Sequence, residues 1–204
     1  MTEEGGAMTN LAAALALLFL THAVPSLPTV RARLLERFGA TPFRIVYSLV
    51  SLAAVAWVIQ AYAGAADSPW VWTPPIWARW AAVLAMPLAL WLVAVRLMHP
   101  PGRGAARLYR RVPAPASAGI LLWALLHLAN VGQARALLLF AVFAAIALFA
   151  LVKNMLTAAP VAGSAPDRVG YRPAAAALAV WAALLALHPL VIGPDPLAWL
   201  ALTG

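Results

Sequence analysis

Apolar residues in this chain do not alternate with polar ones. They come in long blocks, separated by short stretches that hold nearly all of the charge. Six blocks stand out, at residues 7–24, 43–62, 80–98, 116–131, 136–152 and 173–192. Each approaches the roughly 20 residues a helix needs to cross the hydrocarbon core of a bilayer. None contains Asp or Glu. In lipid, backbone N–H and C=O groups must be satisfied within the segment, so blocks of this kind become helices. The pattern predicts an all-α integral membrane protein, a six-transmembrane-helix bundle, with residues 1–204 forming a single membrane domain. Only GQAR, residues 132–135, separates the fourth block from the fifth, which predicts a tight antiparallel hairpin there. No internal repeat is visible, so an inverted-repeat transporter plan has no support.

Two connections have a character of their own. In residues 28–41, PTVRARLLERFGAT, Val30, Leu34 and Phe38 fall on one helical face while Arg31, Arg33 and Arg37 point elsewhere. This predicts a short interfacial amphipathic helix after helix 1, lying at headgroup level. The connection SPWVWTPPIWARW gathers Trp70, Trp72, Trp77 and Trp80 around Pro74 and Pro75. Tryptophans so clustered form an aromatic belt at the membrane–water boundary, and the prolines hold the loop extended.

Composition sharpens the class. The chain is 65% hydrophobic and 10% charged, against about 45–50% and about 25% in soluble domains, so one water-soluble core cannot hide its apolar residues. Cys is absent, which excludes disulfides, thiolate ligands and cysteine nucleophiles. A net charge of +8 is explained by topology, with the bilayer and not nucleic acid as partner, because the basic residues sit in loops and no aromatic-basic motif accompanies them. Of the 14 Lys and Arg residues, all but Arg79 and Arg135 lie in or beside the first, third and fifth connections. The positive-inside rule then puts the odd-numbered loops in the cytoplasm and both termini in the periplasm. The first block is preceded by Glu3 and Glu4 and followed by no small-x-small site, so a retained helix is expected rather than a cleaved signal. A start at Met8 would make residues 1–7 a dispensable leader.

Candidate chemistry rests on histidine. His22 and His127 lie inside apolar blocks, where an ionisable residue is a functional-site candidate by default. His99 and His188 lie near block ends, each followed by proline, and are the weaker candidates. The other reading makes these residues packing glue, with His127 bonded across helices to Asn130 or Gln60. Depth separates the two leading residues. His127 is twelve residues beyond Pro115 and His22 three before Pro25, so straight helices would pair His22 with His99, and His127 with His188.

Several strings are together specific: RIVYSLVSL at residues 44–52, VWTPPIWARW at 71–80, WALLHLANVG at 123–132, and a first helix ending in histidine before a basic amphipathic stretch. They resemble the NnrU family over about residues 8–155. That family comprises bacterial inner-membrane proteins linked to nitrite and nitric oxide metabolism, and it is similar to 15-cis-zeta-carotene isomerase, which binds haem b. The resemblance implies an inner-membrane location, haem b as cofactor, and His22 and His127 as the ligands of its iron. It also implies a nitrite or nitric oxide reductase system as partner. Ala114 stands where the family commonly has the histidine of a His-Pro step. Three functions follow as expectations. The first is a haem protein serving nitrite or nitric oxide metabolism, in electron transfer, sensing or support of a reductase. The second is an isomerase of a hydrophobic polyene, and the third a non-catalytic assembly subunit. Whether the protein is an enzyme stays open at this point.

Overall fold

The structure, a computed structural model, describes residues 3–101, 105–157, 168–191, 193 and 195–198. Every apolar block is helical within these limits; Ile192, the expected end of the sixth, lies outside the described residues, as does the start of the possible leader. Helix α1 (Glu3–Ala23) passes through a single tight turn at Val24–Ser26 into α2 (Pro28–Phe38). Pro28 opens α2, where a missing N–H costs nothing. Gly39, at φ 78° and ψ 163°, occupies a backbone region essentially reserved for glycine, and this lets the chain turn at once into α3 (Ala40–Gly64). Helix α4 (Ile76–Met98) starts directly after Pro75, four residues earlier than hydropathy alone suggests. The short α5 (Ala106–Arg111) precedes α6 (Pro115–Asn130), α7 (Ala134–Thr157) and α8 (Arg172–Val191).

Among the described residues, five helices are long and apolar enough to cross a membrane: α1 with its following turn, α3, α4, α7 and α8. Helix α6 has 16 residues and rises about 24 Å at 1.5 Å per residue, short of the roughly 30 Å hydrocarbon core. The helices lie side by side in the order α3, α1, α7, α6, α4, α8, each packing mainly on its neighbours in that series. Leu11, Ala14, Leu15 and Leu18, spaced along one face of α1, are buried against Ala54, Val58 and Ala61 of α3, with Leu138, Val142 and Ile146 of α7 closing the other side. Small residues set the close approaches, as expected where lipid gives no hydrophobic drive between helices. A Cβ at Gly119 of α6 would run into the Ala89 carbonyl oxygen and the Leu92 and Val93 side chains of α4. The outward faces stay apolar: Leu52, Ile59, Leu84 and Leu156 are all well exposed, as a lipid-facing surface requires.

Helix direction divides the bundle into two ends. One carries the tryptophan-proline loop and the α6–α7 turn. The other carries α2, α5 and most of the arginines.

Candidate functional site

His127 sits on α6 one turn from its end, at the tryptophan end of the bundle. Its Nδ1 lies 2.8 Å from the Trp123 carbonyl oxygen. A carbonyl only accepts, so Nδ1 carries the proton and Nε2 keeps its lone pair. The ring stacks on Phe140 of α7 at 4.5 Å and 24°, and tilts against Trp123 at 4.8 Å. Trp123 in turn meets Phe140 and Phe143 edge-on. The imidazole is thus fixed in tautomer and orientation by its own helix and by an aromatic wall. His188, in the last turn of α8, lies at the same end of the bundle. Seven residues earlier, on the same face of α8, the buried Trp181 Nε1 has no hydrogen-bond partner among the described residues.

His22 shows the same local device at the opposite end. Its Nδ1 is 2.8 Å from the Leu18 carbonyl oxygen. Its ring meets Tyr47 of α3 edge-on at 6.1 Å, and Tyr47 stacks on Phe43. The depth difference follows from helix register. Phe19 of α1 contacts Phe149 of the parallel α7, so His22, three residues on, is level with residue 152. His127 is level with Phe140. The twelve residues between these levels span roughly 18 Å at 1.5 Å per residue. The structure therefore sets the two leading histidines at different levels of the bundle. His188 lies at the same end of the bundle as His127, as depth alone predicts. His99 ends α4, and its carbonyl accepts a hydrogen bond from the Tyr109 hydroxyl at 2.8 Å. Among the described residues, no three His, Asp or Glu side chains gather as a metal-binding group.

The expected cross-helix partners of His127 are otherwise engaged or elsewhere. Asn130 Nδ2 donates to the Ala78 carbonyl oxygen of α4 at 2.7 Å and to Leu126 of its own helix. The reason is geometric: Asn130 is the last residue of α6, level with the first turn of α4. It belongs to a clasp that sequence reasoning missed. Val71 N donates to the Gly132 carbonyl and Ala134 N to that of Pro69, both at 2.8 Å, around an isolated antiparallel bridge between Trp70 and Gln133. Trp72 Nε1 donates to the Val131 carbonyl at 2.7 Å. Gln133 Nε2 reaches the Ala66 and Ser68 carbonyls. Arg135 reaches the Tyr62 carbonyl at 3.2 Å and lies over the Tyr62 ring. The signal for it was present: a short turn carrying Asn130, Gln133 and Arg135, and a loop held extended by proline.

Hydrogen-bonded loops, lipid-facing helices and a histidine set inside apolar segments define the class, an α-helical multi-pass membrane protein. The family is shown as well: the model of the NnrU protein family matches residues 10–196, and the chain belongs to that family. The match runs through α8 and so takes in His188 as well as His22 and His127. Comparison with curated proteins and with solved structures gave no significant match.

Proposed function

We propose that this NnrU-family protein holds haem b at the tryptophan end of the bundle, with His127 as iron ligand and His188 as the second imidazole, in the service of nitrite and nitric oxide metabolism. One observation carries the assignment. His127 is locked by a backbone hydrogen bond through Nδ1, which leaves Nε2 as the lone-pair donor, and His188 lies at the same end of the bundle. Ligating histidines characteristically donate their other ring N–H to a carbonyl or carboxylate in this way. Trp123, Phe140 and Phe143 supply an apolar wall suited to a porphyrin, and the orphan Trp181 N–H is a donor available to a bound group. When bound, haem would supply iron redox or ligand-binding chemistry. The chain's own part is to orient the imidazoles and exclude water. We place all six long apolar helices across the bacterial inner membrane, α6 included, with α2 in the headgroup layer, the odd-numbered loops in the cytoplasm and both termini in the periplasm. The tryptophan end then faces the periplasm.

The test is an absorption spectrum and pyridine haemochrome on detergent-purified protein supplied with haem. Wild type and His22→Ala should show a Soret band. His127→Ala and His188→Ala should lose it or show a changed axial ligation. No Soret band in any sample overturns haem binding, and loss in His22→Ala alone overturns the choice of ligands.

A second reading has its own support. Both His22 and His127 are satisfied within their own helices and packed on aromatic rings, which also suits a non-catalytic assembly subunit. In that case substitution of both lowers thermal stability in detergent while nitrite and nitric oxide turnover in cells persists wherever the protein accumulates.

A further inference from the structure

Where α1, α2 and α3 meet, at the arginine end, the described residues enclose an apolar groove of about 260 Å³. Thr21 and Pro25 form its floor, Leu34 and Phe38 of α2 one wall, and Phe43, Val46 and Tyr47 of α3 the other. It is smaller than the roughly 300–1,000 Å³ pockets that enclose a whole small molecule. Its length runs with the helix axis, since the α3 lining residues Phe43, Val46, Tyr47 and Val50 follow a single helical face. Such a groove suits one end of a hydrocarbon chain.

The rim is cationic. The Arg31 guanidinium lies 5.5 Å from the centre of the Phe43 ring, and that of Arg37 lies 5.6 Å from the Phe38 ring. Both rings line the groove. Among the described residues, neither guanidinium is paired with a carboxylate. Arg33 and Arg44 add charge nearby, against the single carboxylate of Glu36 in α2. Two fixed cations above an apolar slot match the two halves of one molecule, a phosphate above and an acyl chain below. Basic pockets beside membrane helices take anionic headgroups for this reason, and arginine is the cation whose geometry best suits phosphate.

We infer that the α1–α2–α3 groove is a binding site for an anionic phospholipid, with an acyl chain between α2 and α3 and the headgroup phosphate on Arg31 and Arg37. The bound lipid fills the space between α2 and α3. The inference rests on the membrane-spanning reading with α2 at headgroup level. It does not depend on haem, so a failed spectrum and a failed lipid test are distinguishable.

The experiment is native mass spectrometry of the full chain purified in detergent, titrated with phosphatidylglycerol or phosphatidylcholine of matched acyl chains. The wild type should retain phosphatidylglycerol in preference. Removing two interfacial arginines is expected to weaken that retention roughly thirty-fold, so Arg31→Gln with Arg37→Gln should abolish the preference. Arg107→Gln with Arg111→Gln removes the same charge from the same end and should change retention only a few-fold. Val46→Trp, which fills the slot with both arginines kept, should lower retention of either lipid; Val50→Met is the milder filler should that variant not accumulate. Equal retention of the two lipids by the wild type overturns the site. So does an equal loss in both arginine double variants, which would make the preference a general effect of charge.

Discussion

At the tryptophan end, residues 62–78 and 130–135 are joined by backbone pairs, an indole N–H, an amide and a guanidinium, all directed at named carbonyls. At the arginine end the comparable tie across the bundle is a 3.2 Å contact from Lys153 Nζ to the Ser26 carbonyl oxygen. The guanidiniums of Arg31 and Arg37 there lie over aromatic rings. A polar group withdrawn from water must be paired within the protein, so the first end is a fixed joint that sets the register of α3, α4, α6 and α7. The second leaves its cations facing outward and an apolar slot beneath them. The difference teaches that one end of this bundle is tied by polar groups and the other by apolar contact.

The largest expected break of this contrast is at Gly132. A Cβ there would meet the Trp72 carbonyl oxygen and the Trp70 ring. Because one obstacle is backbone, the strain cannot be relieved by a rotamer change. Gly132→Ala should cost about 3 kcal/mol, the upper part of the usual overpacking range, read as a drop in thermal unfolding temperature in detergent. Gly39 at the other end is the control. Its positive φ also resists a side chain, but a Cβ would find only Pro42 Cδ at 3.9 Å. A larger loss from Gly39→Ala than from Gly132→Ala would refute the idea that the clasp is the stiffer joint.

Much of this fold was legible in the sequence, because a bilayer demands uninterrupted apolar runs. All six expected blocks are helices, and Pro75 marks a start that hydropathy misplaces by four residues. What hydropathy cannot carry is lateral order. Nothing in the blocks says that α7 lies between α1 and α6, and that placement, with its register, separates His22 from His127. The candidate site was legible as a set of residue types. The level of each histidine in the bundle was legible too, because rise per residue is a property of any helix. The clasp was missed because its key groups are backbone carbonyls, which every residue possesses.

A smaller effect tests how the clasp uses its cation. Arg135 donates to the Tyr62 carbonyl, to Gln133 Oε1 at 3.0 Å, and lies 4.6 Å from the Tyr62 ring centre. Arg135→Met should cost about 2 kcal/mol, as for hydrogen bonds to charged groups. Arg135→Lys keeps the charge but loses the planar fork, so it should recover less than half of the stability. Full rescue by lysine would mean that charge alone matters there, and the end would then be no more ordered than its opposite.

The smallest expected effect probes the arginine end through Tyr109 of α5. Its hydroxyl donates to the His99 carbonyl, and the ring is buried with Val95 and Ala105. Burial raises its pKa above the ordinary 10.0, with the nearby Arg96 charge acting in the opposite direction. A raised native value means that the neutral phenol is the form the fold prefers. Its contribution to stability is complete below 10.0 and is lost as pH rises through the raised value. Tyr109→Phe should therefore cost about 1 kcal/mol at neutral pH, one hydrogen bond, and should flatten the loss of stability that the wild type shows at alkaline pH. The measurement is unfolding temperature against pH from 8 to about 11, a window set by the ordinary tyrosine value. If the variant kept the wild-type alkaline slope, the phenol would not be the titrating group. The short helix would then be held by apolar contact alone, which is the looser attachment expected of an end whose polar groups face lipid headgroups and water.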